Sequence, residues 1–244
     1  MAINMDDIRA IQQTNGVKTR RDALIRATKL NLTRELTGSL HYESEAKRNG
    51  VTQPLVVTTS NVNDECDVFS MPDEQILVGD TIDCFGQKWI IIEVSPVNTL
   101  QLRGKMKLCN HLFKFQDFDG RIFERWGVLD PGVYSTTQRT SNYLVVTDAQ
   151  YKVYLPYDDD TSMLYEDKRF STGVAYDNEG NKILRVFRIT RIDDTSESWG
   201  DGKLLVAYVR SDAYNPDADN LELQICDYID PEIGEDPDAE GSWF

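Results

Sequence analysis

The stretch Thr81-Ile82-Asp83-Cys84-Phe85-Gly86-Gln87-Lys88-Trp89-Ile90-Ile91-Ile92-Glu93-Val94 decides the fold. Both of its arms are rich in β-branched and aromatic residues, which suit a pleated, half-buried surface. Phe85-Gly86-Gln87 between them supplies a tight turn, because glycine takes the left-handed backbone that a short hairpin requires. The pattern predicts two antiparallel strands, and Pro96 is expected to close the second. Upstream, Leu55–Thr59 and Cys66–Ser70 read as strands. Downstream come Leu100–Cys109, then His111–Phe118, and Arg121–Val128 returning across an Asp119-Gly120 turn. Tyr143–Thr147, Tyr151–Leu155, Lys182–Thr190, Leu204–Val209 and Leu221–Tyr228 extend the pattern. Roughly ten to thirteen short strands at 8–12-residue spacing point to barrels or sandwiches, not to βαβ units.

One helix precedes the strands. Thr19 is the expected N-cap, and Asp22 three residues later completes a capping box. Leu24, Ile25, Ala27, Leu30, Leu32 and Leu36 recur at three- and four-residue spacings, and Gly38 supplies a stop. Arg20, Arg21, Arg26, Lys29 and Arg34 occupy the rest of the surface. This is a basic, broad-faced amphipathic helix, expected to dock on another surface. Residues 1–15 are expected either to form a shorter helix over Asp7–Gln13 or to be disordered without a partner. Ser39–Lys47 is read as an extension of the helical segment, ahead of an Asn49-Gly50 turn. The fold class is therefore mainly β: an N-terminal helical arm (1–50), a small β-barrel (51–129), a second β-rich, sandwich-like domain (130–230) and an acidic, disordered tail (231–244).

Charge and composition narrow the function. The 244 residues carry 26 Lys/Arg against 41 Asp/Glu, a net charge of −15. Such a surface repels nucleic acid at long range. The charge is unevenly spread: residues 1–50 hold nine Lys/Arg, whereas 211–244 hold eleven Asp/Glu and no Lys/Arg. A basic arm and an acidic tail around a folded centre read as interaction segments. No apolar run approaches the ~20 residues of a membrane span. Met1–Asp7 has neither the basic nor the apolar region of a secretion signal. Cys66, Cys84, Cys109 and Cys226 are then expected to be reduced core residues.

Candidate chemistry is sparse. Cys66, Cys84, Cys109 and His111 could supply a Cys₃His zinc set, but their spacing lacks the paired loops of structural zinc sites. A Cys109–His111 nucleophile pair is no better placed, since neighbours on one strand face rarely meet head-on. Asp158-Asp159-Asp160 lacks the spacing and glycine of a calcium loop and reads as a solvated acidic loop. Phosphate-loop, dinucleotide and nucleophile-elbow motifs do not occur. Trp89, Trp126, Phe113, Phe115, Phe118, Phe123 and Tyr134, interleaved with Lys88, Lys105, Lys107, Lys114, Arg121 and Arg125, could form a single-strand-binding face. The competing reading, core aromatics alternating with exposed bases, fits the acidic charge better. No catalytic role, metal or cofactor is expected.

Cys66–Glu74, Gly79–Ile91 and Leu108–Gln116 resemble virion structural proteins of tailed bacteriophages. The order strand, Gly79-Asp80, strand, Gly86-Gln87-Lys88-Trp89, strand is similar to the small β-barrel of head-closure (stopper or head–tail joining) proteins. The resemblance covers residues 50–120. It implies a connector subunit in the neck of the virion, in a homo-oligomeric ring between a portal–adaptor complex and the tail. Partners would be other virion proteins, with DNA passing through the channel without sequence-specific contacts and no membrane involved. Assembly would take place in the bacterial host cytoplasm. Capsid decoration and tail completion are the alternatives within the virion. The expected interfaces are the helix, through Arg20, Arg21, Leu24, Ile25, Arg26, Leu32 and Leu36, and the polar loop 130–142, through Tyr134 and Arg139.

Overall fold

Helix α1 (Arg20–Thr37) begins where its capping residues put it. The Asp22 amide donates to the Thr19 hydroxyl at 3.1 Å, and the Thr19 amide donates to the Asp22 carboxylate at 2.9 Å. Gly38 ends the helix, its N–H donating to the Arg34 carbonyl and that of Ser39 to the Leu36 carbonyl. The structure is a computed structural model that describes residues 19–60, 64–98, 100–131 and 151–230. The expected Asp7–Gln13 helix, the Tyr143–Thr147 strand and the acidic tail lie outside these residues.

Eight strands follow in an antiparallel sheet: β1 (Tyr42–Glu43), β2 (Lys47–Arg48), β3 (Val51–Thr52), β4 (Leu55–Thr59), β5 (Glu65–Ser70), β6 (Thr81–Cys84), β7 (Gln87–Asn98) and β8 (Gln101–Leu108). Their order is β1-β4-β5-β8-β7-β6-β2-β3. β1 and β2 lie towards opposite ends of that order, yet only three residues separate them in the chain. The sheet must therefore curl, and it forms a nearly closed barrel. Ser39–Lys47 is not helical. It turns into two-residue strands, too short to show a periodicity, and the Gln53 amide closes onto the Ala46 carbonyl at 2.9 Å. β7 also runs through Pro96 to Asn98; the pairing with β8 shifts register there, and the residues from Ser95 onward are exposed, so the missing N–H is tolerated.

The second sheet contains β9 (His111–Gln116), β10 (Ile122–Asp130), β11 (Tyr151–Pro156), β12 (Arg169–Tyr176), β13 (Lys182–Asp193), β14 (Ser198–Trp199) and β15 (Gly202–Asp212). Its order is β12-β13-β15-β11-β10-β9, with β14 beside β15. It curls until its edges face one another: the Phe170 ring of β12 lies 5.4 Å from Phe113 and 5.7 Å from Phe115 of β9. The sheet boundary falls at Cys109-Asn110. The hairpin expected in the first barrel, β9–β10, belongs to the second sheet, because β10 pairs with β11 further along the chain. β12 escapes a periodicity reading because Gly173 carries a bulge that shifts register between Ser171 and Val174.

Where the sheets meet, strands are covered on both faces. Successive side chains point to opposite sides of a strand. In β15, Leu204 and Val206 join the first core, whereas Leu205, Ala207 and Val209 join the second. In β11, Tyr154 joins the first core and Val153 and Leu155 the second. Trp89, Ile90 and Ile91 of β7 are likewise all buried. These unbroken apolar runs are the sequence trace of double burial.

Two backbones touch at the junction. Gly79 has φ +85°, and a β-carbon there would stand 1.9 Å from the Lys203 carbonyl oxygen. Next to it, the buried Asp80 carboxylate accepts from Arg48 Nε at 2.6 Å, Asn49 Nδ2 at 2.7 Å and the Leu77 amide at 2.6 Å. On the far side of the second sheet, Arg169 organises the segment after β15. It donates to Asp219 at 2.8 and 3.0 Å, to Asp227 at 2.6 Å, to Asp212 at 3.1 Å and to the Ala213 carbonyl at 2.8 Å. Leu221–Tyr228 is accordingly not a strand. Its one isolated bridge joins Ile225 to Asn220, just ahead of the segment, and it is held as a strap by Arg169 and a small core of Leu184, Val186 and Cys226.

Gly79→Ala should cost at least about 3 kcal/mol, combining left-handed strain with overpacking against a backbone that cannot yield. Urea unfolding should show a lower midpoint at unchanged slope.

Candidate functional site

Eighteen residues long, α1 has no buried residue. At 100° per residue its side chains divide into two sides. Asp22, Ile25, Lys29, Leu32 and Leu36 share one side and are half-covered, and Lys29 pairs with Asp73 of the loop between β5 and β6. Arg20, Leu24, Ala27 and Arg34 share the other, with Leu30 at its margin, and all are exposed; Leu24 is 60% and Leu30 63% accessible. Of the expected interface residues, Ile25, Leu32 and Leu36 therefore lie on the half-covered side. Arg20, Arg21, Leu24 and Arg26 face solvent. Tyr134 and Arg139, and with them nearly all of the loop 130–142, lie outside the described residues.

The deciding hairpin presents a second surface. Phe85 and Gly86 form its two-residue turn at φ +54° and +71°. The glycine is at home there; a phenylalanine is not. Phe85 is nevertheless exposed, and it edges a groove of about 410 Å³ lined by Glu43, Glu45, Lys47, Asp83 and Lys88. A strained, solvent-facing aromatic is a feature that folding alone does not select.

A third surface escaped sequence reading. Phe118, at the tip of the β9–β10 turn, is 73% exposed and stacks on Tyr165 with ring centroids 5.5 Å apart. Met163 is exposed beside them. Phe118 looked like one more member of an alternating aromatic strand. Only the turn, which carries it past the end of β9, separates it from the core.

Of the other aromatics in the expected single-strand-binding face, Trp89, Phe113, Phe115 and Phe123 are buried, so they cannot stack on bases; Trp126 is exposed, and Tyr134 lies outside the described residues. Among the described residues, no three His, Cys, Asp or Glu side chains converge in a metal-binding arrangement. Cys84 and Cys109 lie in the first core and Cys226 against β13. Burial pushes all three thiols up to about 12. The His111 ring packs edge-on to Phe113 at 4.7 Å, and burial pushes its pKa below the usual histidine range.

The run Asp158–Asp160 is not a freely solvated loop. Arg125 bonds Asp158 at 2.6 Å and Asp160 at 2.5 Å, and Arg121 bonds Asp160 at 2.5 Å. Partial burial raises the Asp158 pKa, but the Thr161 amide and Arg125 outweigh it and hold this carboxyl below its ordinary range. Two of the three charges thus serve to fix the loop to β10.

Comparison of the chain with known protein families, with curated proteins and with solved structures finds no match.

Phe85→Asn should raise stability by about 1 kcal/mol, since Asn-Gly relieves the left-handed cost at the turn; thermal unfolding reads the gain as a higher Tm. Alkylation at pH 8 should leave Cys84, Cys109 and Cys226 unmodified in the native protein and label all three after denaturation, as mass spectrometry of the peptides would show.

Proposed function

We propose that this chain is a structural, non-catalytic subunit of a tailed-phage virion: a head-closure connector that assembles in the bacterial host cytoplasm as a homo-oligomeric ring between the portal–adaptor complex and the tail. The observation that carries this reading is α1. Most helices in proteins owe their stability to packing of one face. This one is well capped and tied to the barrel by Lys29–Asp73, with one side half-covered and an exposed outer side of leucines and arginines. Such an element fits a helix-in-groove contact with a neighbour.

The residues behind the head-closure resemblance support the reading. Thr81–Ile91 form β6, the turn and the start of β7 in the barrel. Gly79-Asp80 is the joint between the sheets, a use that suits a rigid ring subunit. The surface charge also suits a channel. Residues 38–230 hold 19 Lys/Arg against 32 Asp/Glu, so DNA would slide past without being held.

Native mass spectrometry of the purified chain, with its copy number per particle, tests the assignment. A closed ring and about six or twelve copies per virion, the number the head-closure resemblance implies, are expected. Hundreds of copies, or absence from particles, would overturn it.

A further inference from the structure

We infer that the outer side of α1 in one copy seats on the Phe118–Tyr165 patch of the next copy. This deepens the ring reading and rests on it. Both surfaces are exposed, and each has the apolar area the other needs: Leu24, Ala27 and Leu30 on the helix, and Phe118, Met163 and Tyr165 on the patch.

Charge selects the partner. Over Arg20–Thr37 the helix carries five Lys/Arg and two Asp/Glu. Arg20 and Arg34, on its outer side, form no ion pair among the described residues. The patch is bordered by the exposed carboxylates Asp119, Asp159 and Glu166, which likewise form no ion pair among the described residues. The nearby cations are committed: Arg121 to Asp117 and Asp160, and Lys168 is buried beneath the Tyr165 ring. A basic, leucine-bearing helix therefore matches an acidic, aromatic patch in both properties.

The contact must run between copies. Lys29–Asp73 ties α1 to the first barrel, and only four residues separate its end from β1. The patch belongs to turns of the second sheet. Because the two surfaces are different, each copy offers one helix and one patch. That is a head-to-tail contact, which closes into a ring when the rotation between copies divides a full turn.

Charge reversal in two separate chains tests this. One chain carries Arg20→Glu and Arg34→Glu; the other carries Asp119→Arg and Glu166→Arg. All four sites are exposed, so circular dichroism should show both chains folded. In sedimentation at low salt, each variant alone should be monomeric at concentrations where wild type associates, a loss of at least tenfold in affinity. An equimolar mixture should associate again, because acidic helices then meet basic patches. Association should weaken with added salt. If both variants keep the wild-type mass, or if the mixture stays monomeric, the contact is overturned while a wild-type ring stands. If wild type is itself monomeric at every concentration, the contact is overturned together with the ring.

Discussion

Burial of strands on both faces at the junction of the two sheets is the constraint on which this molecule depends. β7, β11 and β15 each carry apolar side chains on alternate sides, and neither sheet could keep these runs in water. Gly79 makes that packing possible, because the loop leading into β6 reaches the Lys203 backbone at a distance where no β-carbon fits. Asp80 fixes the same loop through Arg48 and Asn49. The two sheets are thus coupled through a packed, backbone-to-backbone joint.

The polar interior follows a second rule. Carboxylates taken out of water are matched by arginines or backbone amides, since an unpaired buried charge costs several kcal/mol. Asp80 has Arg48, Asp158 and Asp160 have Arg125, and Asp219 has Arg169. Asp212 shows the consequence: partial burial pushes its carboxyl up, but the Ala213 amide and Arg188 hold it below its ordinary range. Such a group contributes stability above its unfolded pKa, lost as pH falls through the folded value. Many acidic residues that seem free in the sequence are therefore parts of the framework, and those at Asp119, Asp159 and Glu166 stand out by contrast.

The fold class and the α1 capping box were legible because their signals are local. Thr19 and Asp22 act within one turn, and Phe85-Gly86 within one hairpin. The sheet boundary was not legible, because β10 finds β11 across a long stretch of chain and the sequence does not say which hairpins belong together. Tyr42–Glu43 and Lys47–Arg48 are too short to show a period. Leu221–Tyr228 has strand-like apolar spacing, yet Asp219, just before that segment, and Asp227, near its end, are drawn to Arg169, and a folded strap replaces the strand. The candidate surfaces were half legible. The basic helix announced itself by composition, but which of its sides is half-covered and which exposed depends on the folded chain around it, and Phe118 differs from Phe115 only in standing beyond the end of a strand.

Native-state hydrogen exchange tests the joint most directly. Amides of β7 in the first sheet and of β13 in the second should converge on one opening free energy and one urea dependence, because neither sheet can shed its partner without exposing a core face. Two separate isotherms, with one sheet opening while the other stays protected, would contradict the account.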